Sequence, residues 1–96
     1  MLVLKPDCEN CGKELPPEAT DACICSFECT FCRSCVEEVL ENICPNCGGG
    51  FATRPIRPKE LVVKYPAQVK SALKKLDREK YGMLKEKYGH FPPEKR

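Results

Sequence analysis

Two stretches of the chain space their apolar residues as a helix does, one among cysteines and one near the end. Val36, Val39, Leu40 and Ile43 recur at i, i+3, i+4 and i+7, with Glu37, Glu38 and Glu41 on the other face. This predicts a two-turn helix that starts at Cys35 and ends before Cys44-Pro45. So short a helix does not survive alone in water, and ligation at both ends is what would hold it. Farther on, Val69, Leu73, Leu76 and Lys80 form one stripe, joined by Ala72, while Lys70, Lys74, Lys75 and Arg78 mostly face elsewhere. The stripe predicts an amphipathic helix from about Ala67 to Tyr81, with Gly82 weakening it by roughly 1 kcal/mol relative to alanine.

Between these stretches the signals are breakers. Gly48-Gly49-Gly50 leads into Phe51-Ala52-Thr53, which reads as a strand, and Met1 to Leu4 reads as another. Arg54-Pro55-Ile56-Arg57-Pro58 reads as an extended basic linker, because proline fixes its own φ and biases its predecessor away from helix. Pro66 is placed to open the following helix as its first residue. A seven-residue echo, Arg78 to Leu84 and then Lys85 to Phe91, puts Tyr81 and Tyr88 one heptad apart in a helical extension. Residues Pro92 to Arg96 are expected to fray. The resulting division is 1–53, a linker over 54–66, and a basic helical tail over 67–96 packed on the first part.

Length sharpens this picture. A chain of 96 residues is one domain's worth and buries only about 60–65% of its unfolded surface, so staples are expected. Nine cysteines supply them, all between Cys8 and Cys47. Disulfides are disfavored by the odd count, by the Cys-x-x-Cys pairing and by the lack of a signal-peptide pattern before Cys8. Two thiolates two residues apart converge readily on one metal, whereas bridging them to each other closes a strained ring. A reducing cytoplasm is the expected compartment. No apolar run approaches the roughly 20 residues of a membrane span.

Charge divides the chain. Residues 1–50 carry three Lys or Arg against nine Asp or Glu, a net of −6, and residues 51–96 carry thirteen against five, a net of +8. The overall +2 therefore conceals an acidic head and a basic tail. Eight thiolates around two Zn²⁺ would make the head more negative by a further 4.

The cysteines fall into four pairs: Cys8-x₂-Cys11, Cys25-x₃-Cys29, Cys32-x₂-Cys35 and Cys44-x₂-Cys47. Eight sulfurs suffice for two closed tetrahedral Cys₄ sites, the structural kind of zinc site with no open position for chemistry. The ligand spacing does not itself say which pairs share a metal. Cys23 is left over; it reads as a small buried apolar residue, with a reactive or regulatory thiol as the alternative. An iron–sulfur cluster is the rival metal reading, since Cys29-x₂-Cys32-x₂-Cys35 followed by Cys44-Pro45 echoes a ferredoxin run. The eight intervening residues exceed the three of that pattern and read as a helix.

The order and spacing resemble the RING finger. Cys29-Thr30-Phe31-Cys32-Arg33-Ser34-Cys35-Val36 is similar to that family's His-x-Phe-Cys-x-x-Cys-Ile/Val stretch, with Cys29 where histidine is usual, and Cys44-Pro45-Asn46-Cys47 matches its closing pair. The resemblance implies a small α+β metal-bound fold, a treble-clef-related cross-brace with a short central helix. It also implies interleaving, with Cys8, Cys11, Cys32 and Cys35 on one zinc and Cys25, Cys29, Cys44 and Cys47 on the other; a sequential arrangement is the alternative. RING domains recruit ubiquitin-conjugating enzymes through an apolar residue between the first cysteines, a large aromatic in the helix and a basic residue past the last cysteine. Here Glu9 and Asn10, Val39 and Gly48 stand at those places, which argues for a shared fold without the ligase activity.

More of the chain resembles a family of short bacterial proteins of unknown function. The shared segments are Cys25-Ser26-Phe27-Glu28-Cys29-Thr30-Phe31-Cys32, Cys44-Pro45-Asn46-Cys47-Gly48-Gly49, Arg54-Pro55-Ile56-Arg57-Pro58 and Tyr65-Pro66-Ala67. That resemblance carries no activity with it.

Catalytic chemistry finds no foothold. His90 lies far from the cysteines, the serines are Ser26, Ser34 and Ser71, and no nucleophile–base pair can be assembled. Ser26 and Ser34 sit between ligands, where hydroxyls or backbone amides commonly hydrogen-bond to thiolate sulfur. The expectation is a non-enzyme: a zinc finger binding a protein partner, as a monomer or homodimer. The alternatives are nucleic-acid binding through Arg54, Arg57, Lys59, Lys64, Lys70, Lys74, Lys75 and Arg78, or a redox or zinc-handling role using Cys23.

Overall fold

A computed structural model describes residues 1–96. Its center is a three-stranded antiparallel sheet in the order β2-β1-β3, with β1 at Ala22–Ile24, β2 at Thr30–Cys32 and β3 at Ala52–Thr53. Ala22 pairs with Cys32, Cys23 with Phe31 and Ile24 with Thr30. The β1–β2 turn is the segment 25–29, closed by Cys25 N–H donating to Cys29 O at 3.2 Å, with Glu28 in the left-handed region at φ 64°. On the other edge Cys23 pairs with Thr53 and Ile24 with Ala52.

The core is cysteine sulfur filled out by a few apolar side chains: Leu15, Ala22, Phe31, Val36 and Leu40 pack among the buried thiols, with Leu4 and Ile43 also buried. Phe51 meets Phe31 edge-on at 5.4 Å. Arg54 is the largest fully buried side chain, 1% exposed. Its guanidinium donates to the carbonyls of Lys5, Leu15 and Pro16 at 2.8–3.2 Å, and so clamps the N-terminal segment to the sheet. Burial lowers its pKa, since desolvation disfavors the charged form.

The central helix is shorter than its apolar spacing predicts. It spans Cys35–Val39 with a widened turn in which Leu40 N–H reaches Cys35 O at 2.8 Å. Glu41 and Asn42 then adopt φ 50° and 60°, and the reversal lets Leu40 and Ile43 both turn inward. Met1–Leu4 forms no strand, although Leu4 is buried. The proline-rich linker is not extended throughout, because Lys59–Lys64 winds into helix α1 after Pro58.

The largest correction concerns the tail. Residues 65–77 contain no helix; helix α2 runs over Arg78–Tyr88. The cause is competition for backbone groups. Gln68 N–H donates to Leu4 O and Lys74 N–H to Glu9 O, at 2.8 and 2.9 Å, while Asp7 accepts from Ala72 N–H and the Ser71 hydroxyl. The segment therefore lies extended along residues 4–9, leaving Val69 97% and Leu73 53% exposed while Ala72 is buried and Leu76 packs on the core. Asp77 caps α2, accepting from Lys80 N–H at 3.0 Å.

Helix α2 rests on the head through its two tyrosines. The Tyr81 hydroxyl donates to Leu40 O at 2.7 Å, and Tyr88 covers Gly48 so closely that a Cβ there would lie 2.4 Å from its ring. Pro93 covers Gly50 in the same way. The last residues are anchored rather than frayed, because Arg96 donates to Asn42 O at 2.8 Å and Gly48 O at 3.3 Å.

Candidate metal centers

The first and third cysteine pairs come together. The sulfurs of Cys8, Cys11, Cys32 and Cys35 all lie within 4.8 Å of one another. Cys11 and Cys32 are 3.7 Å apart, against the edge of about 3.8 Å for a tetrahedron with metal–sulfur bonds of about 2.3 Å. The second group contains Cys25, Cys44 and Cys47 within the same limit. Cys29 stands just beside it: its sulfur interacts with the Cys44 and Cys25 thiols and accepts from Asn46 Nδ2 at 3.4 Å. Both groups are therefore able to chelate a metal, and the pairs interleave: the first with the third, the second with the fourth. Cys23 belongs to neither; it is buried in β1, opposite Phe31 and Thr53.

Each group hangs from a turn of the same sequence, Cys-x-Asn-Cys-Gly, at 8–12 and at 44–48. The glycines sit at φ 77° and 78°, where a side chain is strained, and their amides close the turns onto Cys8 O and Cys44 O at 3.0 and 2.8 Å. Backbone amides then point at sulfur. Asn10 and Cys11 N–H donate to Cys8 at 3.4 and 3.5 Å, Phe27 N–H to Cys25 at 3.4 Å, and Gly49 N–H to Cys47 at 3.4 Å. Ser26 and Ser34 are exposed, and their hydroxyls make no bond to sulfur. The side-chain donors are instead Asn10, to Cys35 at 3.3 Å, and Asn46, to Cys29. The repeated turn sequence was the signal for them.

Electrostatics fit a cation. Burial pushes the Cys35 and Cys25 thiols up, and the interaction with Cys29, together with burial, pushes Cys44 up. Cys29 is pulled down by that same bond and by Asn46. A divalent ion lets the whole set ionize, since metal binding releases thiol protons.

Glu9, between Cys8 and Cys11, is 3% exposed and ties the turn to its surroundings. Its Oε2 accepts from Thr30 N–H and from Lys5 Nζ, the latter at 3.1 Å, while Lys74 Nζ lies 4.0 Å from Oε1. Burial withdraws Arg54 from any basic contact surface, and half-buried Arg57 is tied to carbonyls, donating to Tyr65 O at 2.6 Å and Leu2 O at 2.7 Å.

No helix is long and apolar enough to cross a membrane. No solved structure matches the chain. A Rhizobium meliloti (strain 1021) protein, itself described as uncharacterized, is similar: it is 53% identical over 74 residues, covering 77% of this chain and 88% of the relative. A family model matches residues 1–57, which include both cysteine groups and Arg54 to Arg57 of the Pro/Arg segment. On the extent of that match and the identity of the relative, the chain belongs to the bacterial family described as "Protein of unknown function (DUF1272)".

Proposed function

We propose that the chain is a non-catalytic zinc module that binds a protein partner. Two Zn²⁺ occupy the interleaved groups, Cys8, Cys11, Cys32 and Cys35 on one and Cys25, Cys29, Cys44 and Cys47 on the other, in a RING-like cross-brace. The observation that carries the reading is the gathering of thiols from distant pairs at metal-ligand separations. Soft thiolate sets in closed tetrahedra select zinc among the available divalent ions. The zinc ties segments together and supplies folding free energy; it supports no reaction here. Thiols kept reduced for this purpose suit a reducing compartment, and the cytoplasm is the compartment that this reading proposes.

Protein binding is supported by side chains that the fold leaves uncovered. Ile56, Leu61 and Val63 on and before α1 are exposed, beside Lys59 and Lys64. Elemental analysis of purified protein should give two zinc ions per chain and no iron. One zinc, or stoichiometric iron, would remove the reading. Glutamate at Ile56 and Val63 should leave zinc content intact while abolishing partner capture.

A further inference from the structure

Asn10 and Asn46 occupy equivalent positions, the third residue of each Cys-x-Asn-Cys-Gly turn, and their carboxamides do the same thing. Each reaches across its site to a sulfur from the opposite pair: Asn10 Nδ2 to Cys35, and Asn46 Nδ2 to Cys29. Backbone amides at the turns serve nearby sulfurs, those of Cys8, Cys25 and Cys47. The far sulfurs of Cys35 and Cys29 receive the side-chain donors. The two asparagines also line one small cavity, about 60 Å³. Phe31, Pro45 and Leu76 form part of its wall, and Lys74 N–H is tied to Glu9 O at its edge.

We propose that Asn10 and Asn46 are positioning residues for the metal, each holding charge on the far thiolate of its own site and slowing that sulfur's departure. This rests on the two-zinc reading above. A carboxamide suits the task because it donates without adding charge to a thiolate set that already carries an excess. Aspartate at the same place, with no donor and a negative charge, would oppose the thiolate. Departure of one ligand is the first step of metal loss, so a donor that favors the thiolate over the thiol retards both protonation and exchange.

The test uses the full chain loaded with cadmium, whose nuclear resonance reports each sulfur site separately. Two ions and two resonances are expected in the unsubstituted protein. Asn10→Leu should move the resonance of the Cys8, Cys11, Cys32 and Cys35 site alone, and Asn46→Leu the other alone. Each should speed zinc transfer to a chelator from its own site by about 10–100-fold, the usual effect of removing such a partner. Should a leucine variant fail to fold, Asn10→Asp and Asn46→Asp keep the size and carry the same expectation. Fewer than two cadmium ions in the unsubstituted protein defeats the two-site reading itself. Two ions with resonances and release rates unmoved by substitution, or both resonances moved equally by either one, overturns the asparagine assignment alone.

Discussion

The two sulfur groups are built on the same turn sequence, yet they meet the rest of the chain differently. Around Gly12 the turn is open: Cys11 is exposed, and the nearest side chain to a Cβ at Gly12 would be Leu73 at 3.5 Å, an ordinary contact. Around Gly48 the turn is roofed. Tyr88 and Leu84 lie on it, Pro93 lies on Gly50, and Arg96 binds Gly48 O. Glycine thus serves two purposes at 48 and one at 12. Both need the left-handed backbone, and only Gly48 must also leave room for a ring. The same position is where the RING resemblance implies a basic residue, and here Tyr88 explains its absence. Local sequence sets the geometry at sulfur, and the tail sets how far each site is shielded.

The largest effects should come from the proposed ligands. Cys44 is fully buried and Cys11 exposed. Cys44→Ser should abolish cooperative unfolding, because a structural zinc site is worth on the order of 10 kcal/mol of folding. Cys11→Ser should retain one tightly held zinc and a weakened second site that water can complete. Circular dichroism melts with metal analysis compare them, and equal collapse in both variants would break the distinction. In the unsubstituted protein a chelator should remove zinc in two phases, the faster one from the site that includes Cys11. A single phase would mean that the roof over Gly48 is kinetically irrelevant. Cys23→Ser should leave zinc content unchanged, since that thiol lies outside both groups.

Next in size is the pair of glycines. Gly12→Ala and Gly48→Ala share the backbone strain of a positive φ. Gly48→Ala adds overpacking against Tyr88 and should cost about 1–3 kcal/mol more. Tyr88→Ala makes room, so combining it with Gly48→Ala should cost less than the two separate losses together. Strict additivity in denaturant melts would show that the ring does not stay over the turn.

The readable features were those written locally. Cys-x-x-Cys spacing is local chemistry, and so is the Asn10 and Asn46 repeat, whose meaning depends on the fold that aims both amides at sulfur. Asp77 as a helix cap was legible in the same way and marks where α2 begins. The stripe Val69, Leu73 and Leu76 misled because it is a local pattern overruled at long range. Residues 4–9 present backbone and Asp7 acceptors that residues 68–74 satisfy better extended than helical. Interleaving of the pairs is likewise a long-range fact, which spacing alone leaves open. Arg54, written as part of a basic linker, is taken inside by three carbonyls that no local pattern announces.

The smallest effect tests whether α2 belongs to the roof at all. The Tyr81 hydroxyl donates to Leu40 O, at the end of the central helix, and burial raises its pKa above the ordinary phenol value. Tyr81→Phe removes that bond while keeping the ring and should cost about 1 kcal/mol. The pH dependence gives a second signature. A phenol whose pKa is higher folded than unfolded stabilizes the fold fully below its unfolded value of about 10, and that contribution is lost as pH rises through the folded value. The unsubstituted protein should therefore lose stability through this alkaline window by an amount that Tyr81→Phe lacks, so the two denaturation curves converge as pH rises. Lys85 has its own pKa raised chiefly by its pairing with Glu41 on the neighboring turn, which both proteins share; its smaller mutual influence with Tyr81 is part of what the substitution removes. Parallel curves across the window would place Tyr81 in solvent and detach α2 from the head, and the contrast between the two sulfur sites would then have to arise within the turns themselves.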